Sequence, residues 1–99
     1  MKIELNKGQE YDIELYPTDK IVTGRYLGEA ERKYFFESED SYIIADTHWA
    51  DITNGIITYN NFSSSVISAI SKDKISKIED KKTKSGLLKV LNETKKQHG

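Results

Sequence analysis

The chain of 99 residues has the length of a single domain, with a formal net charge of −1 and an apolar share of 36% that is rich in Ile, Tyr and Phe. This composition is typical of a strand-rich domain. The absence of cysteine excludes disulfides, thiolate metal sites and cysteine nucleophiles. No stretch is apolar enough for a signal peptide or a transmembrane helix, so we expect a cytoplasmic protein with no membrane partner.

Charge is divided unevenly along the chain. Residues 1–70 hold six Lys or Arg against twelve Asp or Glu (−6), whereas residues 71–99 hold nine Lys against four acids (+5). Such a pattern indicates a basic arm that meets an anionic partner, or two oppositely charged parts that attract each other or stay solvated. We favour the second interpretation.

The first third of the chain predicts short strands. Apolar residues occupy every second position in 2–5 and 11–16, which is the period of a strand with one solvated face. After a turn at 17–19, further strands are expected at 20–28 and 32–37. Gly24 and Gly28 are expected to mark a bulge or a sharp bend.

A long strand is expected at 42–53, followed by a hairpin turn at Asn54-Gly55, because both residues tolerate the positive φ of a type I′ turn. The turn predicts the register of its two arms, with these residues opposite each other: Thr53 and Ile56, Ile52 and Ile57, Asp51 and Thr58, Ala50 and Tyr59. The core face is then expected to hold Ala50, Ile52, Ile57 and Tyr59. Asp51 and Thr58 would lie on the solvated face together with Trp49.

Residues 62–80 fit two structures. The stretch 66–70 suits a strand, 71–74 a tight turn and 75–78 a last short strand. The isoleucines of the segment also lie near one stripe of a helix. We favour strand, turn, strand, because Ser and β-branched residues weaken helix propensity.

The glycines of Thr23-Gly24-Arg25-Tyr26-Leu27-Gly28, the short curved strands and the segment 70–78 give the chain a resemblance to the SH3-like and Sm-like small barrels over residues 9–79. The resemblance implies a mainly β fold: a small, strongly bent antiparallel sheet or an SH3-like barrel with a C-terminal α-helix. The alternative is an α+β fold in which two helices follow the sheet. The RNA-reading motif of the Sm family is absent, so the resemblance implies a fold and no function.

Residues 83–99 predict a basic C-terminal helix and tail that belong to the same domain as residues 1–82. Thr83 or Ser85 is expected to cap the helix. Its apolar stripe is expected to consist of Leu87, Leu88 and Leu91, with Val90 at the margin. A helix of about three turns is marginal in isolation, so it should dock on its own domain or on a partner.

No motif identifies a catalytic centre, and we expect neither an enzyme nor a cofactor. Asp46 and His48 would project to one face of a strand, but two ligands make a weak metal site. The acids Glu37, Glu39 and Asp40 stand in a polar loop with no apolar neighbours to perturb their pKa values. A solvated loop is therefore favoured over a catalytic one.

Two binding surfaces follow from the sequence. Exposed aromatic residues are enriched in protein contacts, so Trp49, with Thr47, Asp51 and Thr58 beside it, is the candidate protein-binding surface unless the C-terminal helix covers it. A nucleic acid is the alternative partner, contacted through Lys72, Lys74, Lys77, Lys81, Lys82 and Lys84.

The leading hypothesis is a non-catalytic binding or adaptor domain that acts through protein–protein contact, with a second copy of the chain among the partners considered. A nucleic-acid-binding small barrel is the second hypothesis. An accessory or structural protein of a virus or mobile element is the third.

Overall fold

The computed structural model describes residues 3–15, 20–48, 50–59 and 67–98. Along these residues the chain forms strands, one 3₁₀ helix and one α-helix. Their bounds are β1 Glu10–Leu15, β2 Lys20–Ala30, β3 Lys33–Glu37, β4 Ser41–Asp46, β5 Ala50–Thr53, β6 Ile56–Tyr59, β7 Ile67–Ser71, the 3₁₀ helix Lys72–Lys77 and α1 Lys81–His98. The prediction of a mainly β fold with a C-terminal helix is confirmed.

The strands form one sheet in the order β5-β6-β1-β2-β3-β4-β7. Every neighbouring pair is antiparallel except β6 and β1, which run parallel. Within the described residues this order has two ends, so the sheet is open rather than closed into a barrel, although β7 curves back towards β1.

The central strands are buried on both faces, which explains their unbroken apolar runs Tyr34-Phe35-Phe36 and Tyr42-Ile43-Ile44-Ala45. The inner face, on the side away from α1, packs the cluster Ile13, Tyr26, Tyr34, Phe36, Ile43, Ala45, Ala50 and Ile57. The outer face packs a second cluster beneath α1, made of Leu27, Phe35, Tyr42, Ile44, Leu87 and Val90.

The bulge or bend expected at Gly24 and Gly28 is a bulge at Gly28, whereas Gly24 pairs in regular register with Tyr11. The pairing of β2 with β3 shifts by one residue between Tyr26 and Gly28, and Gly28 has a positive φ of 146°. The extra residue lets two consecutive positions face the outer cluster: Leu27 belongs to it, and a Cβ at Gly28 would stand 3.4 Å from Val90.

The register predicted from Asn54-Gly55 is confirmed at all four pairs of the β5–β6 hairpin. Both turn residues have positive φ, at 54° and 80°. Ala50 and Ile57 are buried as expected, Ile52 is 41% exposed, and the side chain of Tyr59 lies outside the described part of the chain. The expectation for Ile52 was wrong because β5 is an end strand of the sheet, whereas its buried partner Ile57 lies on β6, which is flanked by β1 on the other side.

The expected long strand 42–53 is wrong, because the chain turns after Asp46. The Asp46 carboxylate accepts the backbone N–H of His48 at 2.8 Å, and the N–H of Thr47 donates to the carbonyl of Arg32 at 3.1 Å. This local Asx-type turn ends the ladder with β3 and separates β4 from β5. The first strand expected, 2–5, is also absent in its described part, since Ile3 and Leu5 pack on the inner cluster without joining the sheet.

The expected strand 75–78 is wrong, whereas the strand before it is present as β7. Residues Lys72–Lys77 form a 3₁₀ helix in place of the predicted turn and strand. Ile75 and Ile78 both pack against the outer cluster, and their spacing of three residues matches the three residues per turn of a 3₁₀ helix. In the described part of this segment, residues 67–80, the alternative of a second α-helix does not form.

α1 begins earlier than expected and is capped by Asp80 rather than by Thr83 or Ser85. The Asp80 carboxylate accepts the backbone N–H of Lys82 at 3.0 Å and the hydroxyl of Thr83 at 2.9 Å. These bonds lower the pKa of the Asp80 carboxyl, with the Thr83 hydroxyl as the largest cause. Thr83 supports the cap from the third helical position, so the capping residue lies one turn before the prediction.

The buried stripe of α1 consists of Thr83, Gly86, Leu87 and Val90, at the helical spacing i, i+3, i+4, i+7. Val90 is therefore central rather than marginal, and Leu88 is 50% exposed instead of buried. The reason is the approach of Gly86 to the sheet: a Cβ at this position would stand 3.0 Å from Cζ of Phe35. No helix in the described part of the chain has the length and apolar character needed to cross a membrane.

Candidate interaction surface

A groove lies on the outer side of the sheet beside α1. Its lining residues are Tyr42, Leu88, Leu91 and Asn92, and its volume is about 460 Å³. Tyr42 comes from the start of β4 and is nearly buried, whereas Leu88 stands half exposed on the helix. We call this feature the α1 groove.

The helix continues the α1 groove towards its N-terminal end as a basic rim. A second shallow cavity of about 320 Å³ is lined by Lys81, Lys84, Ser85 and Leu88. Leu88 borders both cavities, so the two form one continuous surface. Within the part of the chain that the structure describes, neither Lys81 nor Lys84 forms an ion pair.

Tyr42 also contacts Lys72, the first residue of the lysine-rich 3₁₀ helix that precedes α1. The Nζ of Lys72 lies 5.5 Å from the centre of the Tyr42 ring, within the range of a cation–π contact. The same ammonium donates to the Glu37 carboxylate at 2.8 Å. Lys72 is thus engaged with its own domain, unlike the lysines of the basic rim.

Glu37 is held between two cations at a third, open cavity. It accepts from Arg25 Nη2 and from Lys72 Nζ, each at 2.8 Å. The hydrogen bond from Lys72 and then that from Arg25 lower the pKa of the Glu37 carboxyl, and the same pairing raises the pKa of Lys72. A general acid needs the opposite shift, so the arrangement suits a tie between β2, β3 and the 3₁₀ helix rather than proton transfer.

The candidate metal ligands Asp46 and His48 lie in the turn that ends β4, where they are hydrogen-bonded to each other. One Asp46 carboxylate oxygen is already bonded to the backbone of His48. Over the described residues, no group of three or more His, Asp or Glu side chains is placed to hold an ion.

The structure separates the six lysines proposed to contact nucleic acid. Lys72 is paired with Glu37, and Lys84 stands in the basic rim beside Leu88. Lys74 and Lys77 are exposed on the 3₁₀ helix, and Lys81 and Lys82 are exposed on the first turn of α1. Aspartates and glutamates interrupt the run at Asp73, Glu79 and Asp80.

The predicted aromatic surface is described only in part, because Trp49 lies outside the described residues. Asp51 and Thr58 pair across the β5–β6 hairpin, as predicted. Asp51 is exposed and Thr58 half-buried. Thr47 belongs to the turn that ends β4 and is likewise half-buried.

Sequence reasoning missed the α1 groove, although a signal for it exists. Leu87, Leu88, Val90 and Leu91 span about 160° of a helix circumference at 100° per residue. A helix lying on a sheet buries a narrower sector than this, so one member of the set had to remain exposed. The sequence does not tell which member it is.

Comparison with known proteins provides no relative from which a role can be transferred. No protein-family model, curated protein or solved structure matches the chain. Function must therefore be argued from the geometry of the surface.

Proposed function

We propose that this protein is a non-catalytic binding domain that recognises a segment of another protein through the α1 groove. The observation that carries the proposal is the exposure of Leu88, 50% of whose surface remains open at the junction of two cavities. A partner that covers this side chain removes from water the most exposed large apolar side chain in the described part of α1. Covering half a leucine stabilises a complex by about 1 kcal/mol, on the scale of about 1.5–3 kcal/mol for a whole buried side chain.

The rest of the groove suits an apolar anchor with polar edges. Tyr42 and Leu91 give an apolar wall that is already held in place by the outer cluster, so little order has to be gained on binding. Asn92 offers an amide at the rim, and the lysines offer charge beyond it. Such a centre with a polar border is the usual anatomy of a protein contact.

A nucleic acid is the second candidate partner, supported by the four exposed lysines Lys74, Lys77, Lys81 and Lys82. They lie on consecutive elements and would contact phosphates. The first candidate is favoured, because Lys72 is already neutralised by Glu37 and Leu88 would contribute nothing to a phosphate contact.

The test compares Leu88→Ser with a matched control. Ile21→Ser removes another half-exposed aliphatic side chain, 52% open to solvent and borne on β2 rather than α1. A partner isolated with the wild-type chain should bind Leu88→Ser about five-fold more weakly or worse, because the loss of about 1 kcal/mol corresponds to about five-fold in affinity. It should bind Ile21→Ser as it binds the wild type. Equal binding to Leu88→Ser and wild type, measured by calorimetry, would refute the proposal. Retention on a labelled oligonucleotide that falls steeply with salt would support the second candidate instead.

A further inference from the structure

The partner of the α1 groove is constrained by the charge of the helix beside it. Residues 81–92 hold four lysines and no acid. At 100° per residue, Lys81 and Lys84 lie within about 20° and 40° of Leu88 around the helix axis, whereas Lys82 and Lys89 lie about 120° and 100° away. Two of the four charges therefore share the exposed sector with the apolar anchor.

A second copy of this chain fits the α1 groove poorly. If two α1 helices met antiparallel at Leu88, Lys84 of one copy would face Asn92 of the other, which offers an amide and no negative charge. If they met parallel, each lysine would face its own equivalent. The parallel arrangement brings like charges together and the antiparallel one places no acid opposite Lys84, so neither supplies the negative charge that the basic rim favours.

We infer, resting on the proposed function, that the partner is an acidic amphipathic segment of another protein. Its apolar side chain packs beside Leu88 in the α1 groove, and its Asp or Glu side chains meet Lys84 and Lys81. Those lysines are four and seven positions from Leu88, which places them about 6 and 10 Å along the helix axis. A helical partner would carry its acid about four or seven residues from its apolar anchor. An extended partner would carry it two or three residues away.

The charges of Lys81 and Lys84 make the affinity for an acidic partner depend on salt. Lys81 and Lys84 have no ion-pair partner in the described part of the chain, so a carboxylate of the partner does not have to displace an internal one. The pairs would be exposed at the edge of the contact, where salt screens them. Affinity should therefore fall as salt is raised, with the apolar part of the binding remaining.

The test uses three short helical peptides as probes and the full chain labelled with ¹⁵N. The first peptide carries a Glu–Leu stripe with the two residues four positions apart. The second has Lys in place of Glu, and the third has Ala in place of Leu. Amide shifts of Leu88, Leu91 and Asn92 report occupation of the α1 groove and give the affinity of each peptide.

We expect the Glu–Leu peptide to shift these amides and to bind more tightly than either of the others. Lys84→Glu should weaken it about five- to ten-fold, since one exposed attraction becomes a repulsion. Lys89→Glu makes the same charge change on another face of α1 and should weaken it less than about two-fold.

Other outcomes would contradict the acidic partner, the α1 groove or the type of occupant, and they can be told apart. Equal or tighter binding of the Lys–Leu peptide, or an equal effect of Lys84→Glu and Lys89→Glu, overturns the acidic partner and leaves the α1 groove as a binding site. If no peptide shifts the groove amides, the proposed function fails and the inference fails with it. If light scattering shows a dimer that Leu88→Ser dissolves, the occupant is a second copy. If a labelled oligonucleotide displaces the Glu–Leu peptide and binds more tightly, the partner is a nucleic acid.

Discussion

Gly86 is where α1 comes closest to the sheet, and replacing it with alanine sets two effects against each other. Alanine favours a helix over glycine by about 1 kcal/mol, so an unobstructed substitution would stabilise the protein. A Cβ at this position would, however, stand 3.0 Å from Cζ and 3.1 Å from Cε2 of Phe35, and 3.3 Å from the carbonyl oxygen of Ala30. Carbon atoms pack best at about 3.5–4.0 Å, so the ring or the helix has to move by roughly 0.5–1 Å.

Neither group can move without cost. Phe35 is completely buried in the outer cluster, where its ring packs together with Leu87 and Val90 of α1. Overpacking of this kind costs about 1–3 kcal/mol, which exceeds the gain in helix propensity. We therefore expect Gly86→Ala to lower the free energy of unfolding by about 1 kcal/mol and the melting temperature by about 4–8 °C.

Urea denaturation followed by circular dichroism measures this free energy directly. Ser85→Ala, one position away on an exposed site, is the control for propensity and should be neutral or stabilise by a few tenths of a kcal/mol. In a Phe35→Leu background the ring is gone, so Gly86→Ala should cost less, with a coupling of about 1 kcal/mol between the two positions. If Gly86→Ala stabilises the wild type by about 1 kcal/mol, the close approach of α1 to Phe35 is wrong.

Other substitutions test separate parts of the fold. Gly24→Ala should destabilise the protein by about 1–3 kcal/mol in urea denaturation, because its Cβ would stand 3.0 Å from the Cβ of Phe36, which is fixed to the backbone; a neutral result would contradict the packing of the inner face. Glu37→Gln should cost about 1 kcal/mol at pH 7, since both ion-pair partners are partly exposed. The lowered pKa of Glu37 means that this contribution is complete above its ordinary value of 4.5 and is lost as the pH falls through the lower, folded-state pKa. Stability curves of wild type and Glu37→Gln should therefore converge below pH 4.5, and parallel curves would count against the ion pairs. Asp80→Ala should reduce helicity and melting temperature, with Asp80→Asn retaining part of the cap, and an unchanged helix signal would place the cap elsewhere.

The parts of the fold that local chemistry determines were predictable from the sequence. The alignment of β5 and β6 follows from Asn54-Gly55 alone, because a two-residue turn with positive φ leaves a single way to pair the arms. The bulge in β2 follows from Gly28 in the same way. Both features depend on the conformational range of one or two residues and on nothing distant in sequence.

The features that depend on contacts between distant residues were not predictable in this way. The choice of Asp80 over Thr83 as the cap depends on where the chain leaves the 3₁₀ helix, which is set by the packing of Ile75 and Ile78 on the sheet. The turn after Asp46 did carry a local signal, since an aspartate readily bonds the backbone two residues on. The apolar residues on both sides of Asp46 nevertheless favoured the prediction of one continuous strand over 42–53.

Gly86 also connects the fold to the proposed function. Of the apolar residues in 87–91, the sheet accepts those on the same side of the helix as the glycine, because only there does α1 approach closely enough to bury them. A larger residue at position 86 would hold this side of the helix away from Phe35, and any rotation of α1 that relieves the contact would turn Leu88 and Lys84 together, because they lie about 40° apart around the helix axis. The exposed leucine and the lysine beside it are thus consequences of one missing side chain. Gly86→Ala should accordingly weaken binding of the Glu–Leu peptide, although residue 86 does not contact the peptide. If the variant has altered stability but binds the peptide as the wild type does, the orientation of α1 does not determine the α1 groove.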